Sequence, residues 1–149
     1  MKNNFALSSK NMDVIENSKL YLFKKKEDVA VKKVEQWLRC HNFYYKLITP
    51  KMINENTIYH MLYCSDGGFS DLLVSKVKAE KVWQCHPGLE LETITVQEMV
   101  EEILQDPYLL KSPILFDEVK LLAGFNVEEI RKFIPRSHRL IEKKMKQIN

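Results

Sequence analysis

The chain has 149 residues, 45% apolar and 29% charged. That is one globular domain, long enough to build a core without disulfide or metal staples, and the balance excludes a disordered or collagen-like chain. Twenty-three Lys and Arg against 20 Asp and Glu give a net charge of +3, too mild for a dedicated nucleic-acid binder.

Residues 1–17 are polar and read as a flexible arm. Ser18–Phe23 (SKLYLF) has strand composition. Asp28 then stands as an N-cap, and Val31, Val34, Trp37 and Leu38 recur at helical spacing to about Cys40. Phe43–Ile48 (FYYKLI), aromatic and β-branched, predicts a second strand. Thr49 as cap and Pro50 at the first helical position open a helix carried by Ile53, Ile58, Met61 and Leu62 to about Tyr63.

Cys64–Ser70 is a turn, Asp71–Val82 reads as short helical pieces, and His86–Leu91 is a loop. Thr95 and Glu98 form a capping box at the start of a helix that Pro107 ends, with one more turn over Tyr108–Lys111. Pro113–Asp117 and Val119–Ala123 predict a β-hairpin about a tight Asp117–Glu118 turn. Gly124 and Asn126 lead into a helix over Val127–Phe133, which Pro135 stops. The order β-α-β, helices, β-β-α predicts an α/β fold: a thioredoxin-like four-stranded mixed sheet with helices on both faces. The expected division is a single domain over 18–139. Its sheet layer comes from 18–48 and 113–135, a helical insertion occupies 49–112, and a basic tail covers 140–149.

No apolar run reaches the roughly 18 residues of a membrane span, and MKNNFALSSKNMDV has no leader-like apolar stretch. A cytoplasmic location with no membrane contact is expected. The three cysteines, Cys40, Cys64 and Cys85, are an odd count that suits reduced thiols. Four glycines, none before Gly67, exclude a Walker A loop and a dinucleotide fingerprint, and HExxH, GxSxG and EF-hand patterns are absent. Cys40-His41 and Cys85-His86 lack zinc-ligand spacing, so no metal or other cofactor is expected. Cys64 precedes the turn, where it is open to exposure, but no neighbouring base would activate it. Trp37, Phe43, Tyr44, Phe116, Phe125 and Phe133 are spaced for core packing rather than base stacking. Glu98, Glu101 and Glu102 read as a solvated helix face.

The segments LYLFKKKEDVAVKKVEQWL and TVQEMVEEILQDPYLLKSPILFDEVKLLAGFNVEEIRKFIPR, with the turn SDGG, resemble the Spx/ArsC family. That family holds arsenate-reductase-like enzymes and Spx/MgsR-type transcription regulators. The resemblance runs over Lys19–Arg139. It is most specific from Pro107 to Arg136, at Pro107, Leu109, Leu110, Pro113, Ile114, Asp117, Gly124, Glu129, Ile130, Phe133, Pro135 and Arg136.

In the family, the loop after the first strand carries a cysteine or a C-x-x-C pair, and a helix N-terminus there holds the thiolate. In this chain Asp28-Val29-Ala30-Val31 falls on that motif, and Lys24-Lys25-Lys26-Glu27-Asp28 contains no sulfur. The arginine of the enzymes falls at Ser112 and a further family arginine at Lys76. The resemblance also implies a cis peptide at Ser112-Pro113.

With these departures, the resemblance implies an Spx-like regulator with no catalytic or redox-switch cysteine, of the kind that acts in stress responses. It would bind RNA polymerase through the C-terminal domain of the α subunit. Asp66, Gly67 and Gly68 are the candidate contact turn, expected to be exposed beside Lys24, Lys25, Lys26 and Ser112. The residue reading alone makes the lysines a solvated loop and the glycines a turn. Two alternatives are a thiol-dependent oxidoreductase of the arsenate reductase type using a cysteine elsewhere, and a degenerate relative binding another protein. The protein is expected to be monomeric, with Arg136, Arg139, Lys143, Lys144 and Lys146 available for indirect contact with DNA phosphates.

Overall fold

A computed structural model describes residues 19–90 and 92–136 of the chain. The predicted arm, and the tail beyond Arg136, lie outside the described residues. The elements in chain order are β1 (Tyr21–Phe23), α1 (Val29–Cys40), β2 (Lys46–Ile48), α2 (Glu55–Cys64), α3 (Phe69–Leu72), α4 (Glu80–Gln84), α5 (Val96–Gln105), β3 (Ile114–Phe116) and β4 (Leu121–Ala123). Single 3-10 turns stand at Pro50–Met52, Pro107–Leu109 and Glu129–Phe133.

The strands form one sheet in the order β2-β1-β3-β4. β1 runs parallel to β2 and antiparallel to β3, which pairs antiparallel with β4. The expected mixed sheet is therefore present. Its period-2 alternation divides the core in two. Leu22, Leu115 and Leu122 face Val34 and Leu38 of α1, together with Ile130 and Phe133. Phe23, Ile114, Phe116 and Leu121 face Ile58 and Met61 of α2 and Met99, Val100 and Ile103 of α5. The helices between β2 and β3 are thus the second cover of the sheet. They are bonded on as well as packed on: Val74 N–H donates to Leu109 O at 2.8 Å and Lys111 N–H to Leu72 O at 2.7 Å, around a Leu73–Leu110 bridge.

Asp28 and Thr95 cap as expected, with Asp28 accepting from Val31 N–H and the Thr95–Glu98 box closed in both directions. Several readings change. The helix predicted from Thr49 starts at Glu55 instead. Thr49 makes no side-chain cap, Ile53 is extended, and Asn54 accepts from Thr57 N–H at 2.9 Å to start α2. Asparagine is the stronger cap, and it draws the boundary to itself. This helix also runs through Cys64, so the turn begins at Ser65.

The hairpin turn is four residues, Asp117–Lys120, because the Asp117 carboxylate accepts from both Val119 N–H and Lys120 N–H, which removes Val119 from the ladder. Val127–Phe133 contains a 3-10 turn over Glu129–Phe133, with Asn126 accepting from Glu128 and Glu129 N–H. Tyr44 is 63% exposed and outside the core, because β2 is an edge strand that begins at Lys46.

Candidate functional site

The register puts Phe23, Ile48, Ile114 and Ala123 at one end of the sheet. Three connections meet at that end: the Lys24–Asp28 loop after β1, the Ser112-Pro113 step before β3, and Gly124 after β4. Ser112-Pro113 is cis. Lys24 N–H donates to Ile48 O at 3.1 Å and Gly124 N–H to Pro113 O at 2.7 Å, closing the end of the sheet. Lys25 N–H donates to Ser112 Oγ at 3.0 Å. Ser112 therefore fixes the loop.

The three lysines do different work. Lys24 is paired with Glu27 and with Glu35 of α1, the latter at 2.9 Å. Those hydrogen bonds, first Glu27 and then Glu35, raise its pKa. Lys25 donates from Nζ to Tyr108 O at 3.1 Å and lies 5.7 Å from that ring's centroid. Burial pushes its pKa down. Only Lys26 of the three is exposed. The N-terminus of α1 is occupied by the Asp28 carboxylate, whose Oδ1 accepts from Val31 N–H at 2.9 Å. The positive end of that helix dipole already has its anion.

Asp66 and Gly67 are exposed and Gly68 is half-buried. The hydrogen bonds of the turn are local: Gly67 N–H donates to Asp71 Oδ2 at 2.6 Å, Gly68 N–H to Ser65 Oγ at 3.1 Å, and Ser70 Oγ–H to Gly67 O at 2.9 Å. Asp66 shares the wall of a cavity of about 200 Å³ with Asp71, Lys111, Glu129 and Lys132. Lys111 precedes Ser112, so a single peptide step connects this cavity with the residue that bonds the Lys25 loop. Lys76 lies elsewhere, with its Nζ 5.1 Å from the Trp83 ring centroid.

The thiols stand away from the loop. Cys40 and Cys85 are exposed, and Cys64, expected to be open, is buried. Its Sγ is 3.6 Å from His60 Nε2 and 3.6 Å from Asp117 O. His60 Nε2–H itself donates to Asp117 O at 2.7 Å, so that nitrogen carries its proton and is no base for the thiol. Burial pushes the Cys64 thiol up to about 11, with the Asp117 charge adding to it. Sequence reading also missed the bonds of His86 to Glu102 and Asp106, at 2.8 and 2.9 Å, which take Glu102 off its solvated face. No local pattern marks a contact between residues 16 and 20 positions apart. Among the described residues no group of three or more His, Cys, Asp or Glu is arranged to hold a metal. His41, the other histidine in a Cys-His pair, donates from Nδ1 to Trp37 O at 2.9 Å.

A cis-proline facing the loop after the first strand, in a four-stranded mixed sheet with helices on both sides, defines a thioredoxin-like protein. The ArsC family model matches residues 9–133, and the chain belongs to that family. It is 31% identical over 125 residues to the global transcriptional regulator Spx of Streptococcus pneumoniae, covering 83% of this chain and 91% of that protein. It is 28% identical over 131 residues to the Spx regulator of Enterococcus faecalis, covering 87% and 96%. A crystal structure of a putative ArsC family related protein from Bacteroides fragilis superposes with a TM-score of 0.61 at 19% identity, covering 77% of this chain and 97% of that one, and shares the fold. Among the described residues no helix is long and apolar enough to cross a membrane.

Proposed function

We propose that this protein is a transcriptional regulator of the Spx type that binds RNA polymerase through the C-terminal domain of the α subunit and performs no thiol chemistry. The observation that carries the reading is the filled helix N-terminus. Where thiolate chemistry would sit, Asp28 caps α1 with its own carboxylate, and the nearest equivalent of an oxyanion-binding arginine is a serine whose Oγ accepts a loop N–H. Arsenate reduction needs a thiolate nucleophile, and a capping carboxylate does not replace it. The similarity to Spx regulators across most of the chain supports the same reading. The contact surface would comprise Asp66, Gly67 and Gly68 together with Lys26 and the edge of the Lys25–Ser112 junction. A monomer acting in the cytoplasm suits it. The basic residues from Arg136 onward would meet DNA phosphates once polymerase is bound.

The alternative of an oxidoreductase built on a different cysteine finds its best candidate in Cys64, where the raised pKa and the protonated His60 Nε2 both oppose it. The deciding measurement is calorimetric titration of the chain with the purified C-terminal domain of the polymerase α subunit, alongside an arsenate reduction assay with glutathione and with thioredoxin. Association in the micromolar range without turnover is expected. No association at tens of micromolar, or turnover lost in a Cys40/Cys64/Cys85 triple-serine variant, overturns the proposal.

A further inference from the structure

His86 lies in the loop after α4 with its side chain 10% exposed and both ring nitrogens committed. Nδ1 stands 2.8 Å from Glu102 Oε1 and Nε2 stands 2.9 Å from Asp106 Oδ2. Two ionised carboxylates only accept, so this arrangement is fully satisfied when both nitrogens donate, as they do in the imidazolium form. A neutral ring has one N–H and would turn a lone pair toward the second carboxylate.

The charges of Glu102 and Asp106 favour the cation. Glu90, Glu98 and Glu101 join Glu102 around a neighbouring cavity of about 340 Å³, although Glu98 is engaged in the cap of α5 and Glu101 accepts from Gln97. On the other side, Lys25 interacts electrostatically with Asp106. The balance raises the His86 pKa above its ordinary value, first through the Asp106 hydrogen bond, against partial desolvation, with the Glu102 hydrogen bond adding to it.

Asp106 is also shared. Its second oxygen accepts from Tyr108 N–H at 3.2 Å. The carbonyl of Tyr108 accepts from Lys25 Nζ at 3.1 Å, and Lys25 N–H is the donor to Ser112. A continuous hydrogen-bonded route therefore runs from Glu102 through His86, Asp106 and Tyr108 to the loop at the end of the sheet.

We propose that His86, clasped between Glu102 and Asp106, is a proton-operated latch that fastens the loop 85–90 to helix α5 and, through Asp106 and Tyr108, steadies the Lys25 loop. A pKa raised in the folded state makes the latch's contribution complete below the ordinary histidine value of 6.5 and lost as pH rises through the folded value. Above that point one carboxylate is released, and the turn that it anchors loosens. The device resides in the chain itself, so its test does not depend on the partner proposed above.

The test combines an NMR titration of the His86 ring with hydrogen-exchange protection factors for the His86, Leu89, Tyr108 and Lys25 amides between about pH 6 and 9, the span around the histidine's ordinary range. The ring is expected to titrate above 6.5. Protection at all four amides should fall roughly tenfold through that titration, the equilibrium equivalent of one charge-assisted hydrogen bond. His86→Gln should show the lower protection at every pH, with no step. Asp106→Asn keeps an oxygen for Tyr108 N–H but removes the charge, and should lower the titration point of His86. A native ring titrating at or below 6.5 overturns the latch, as does a protection step that survives in His86→Gln. A step confined to His86 and Leu89 overturns its reach to the Lys25 loop.

Discussion

Gly68 has φ of +74°, and no atom stands within 4 Å of where its Cβ would be. Backbone strain of about 1 kcal/mol therefore falls on any replacement, while bulk alone meets no neighbour inside the chain. Gly68→Ala and Gly68→Arg share the strain and differ in size. Gly68→Arg is expected to lose at least tenfold in affinity for the polymerase α domain, with Gly68→Ala close to the parent and both folded by circular dichroism. Equal loss would assign the effect to the turn's geometry, and full binding by the arginine variant would remove this surface. Gly67 differs, because its Cβ would stand 2.7 Å from Asp71 Oδ1, so the constraint there is the carboxylate that holds the turn. Cys64, buried and with its thiol pushed up to about 11, should react with iodoacetamide at about pH 8 at least tenfold more slowly than exposed Cys40 and Cys85. Peptide mapping by mass spectrometry reads the three rates, and equal rates would contradict the burial.

At the scale of the element, capping decides where helices begin. The Asp28 side chain satisfies one of the orphan amides of α1 and puts a negative charge at the positive end of its dipole. Asp28→Ala is expected to cost about 1 kcal/mol in urea unfolding, and Asp28→Asn much less, because the amide oxygen still accepts. An unchanged midpoint for Asp28→Ala would deny the cap its role. Asp28 and the Thr95–Glu98 box are legible because each cap bonds within three residues of itself. The start of α2 is ambiguous for a related reason. Thr49-Pro50 and Asn54 both signal a start within a short stretch, and only the side-chain bond to Thr57 N–H separates them.

The whole molecule has two cores that share one sheet. Leu115 points to α1 and the Glu129–Phe133 turn, and Met99 packs on the opposite face, each fully buried. Leu115→Ala and Met99→Ala should each destabilise by about 2–5 kcal/mol. Because β1 and β3 belong to both cores, each variant is expected to shift a single unfolding transition, with fluorescence and circular dichroism coincident. Separated transitions in the Met99 variant would show that the insertion unfolds by itself. The ladder at Leu73–Leu110 and the bonds from Val74 and Lys111 support one cooperative unit.

The order of strands and helices, the two good caps, the cis Ser112-Pro113 step and the family were determined by the sequence. They rest on local periodicity, on side chains that bond close by, and on motif residues within one continuous stretch. Tertiary structure decided the rest. Lys24 and Lys25 read as a solvated run, yet Lys24 is committed to Glu35 eleven residues away and Lys25 to Tyr108 eighty-three away. His86 reads as a loop residue and in the fold bridges two carboxylates at the end of a later helix. Such pairings carry no periodic signal, because they depend on how the insertion folds back across the sheet. Charge run and ion pair look alike in one dimension, and only the packing that brings Glu35, Tyr108 and Asp106 to the same end of the molecule separates them.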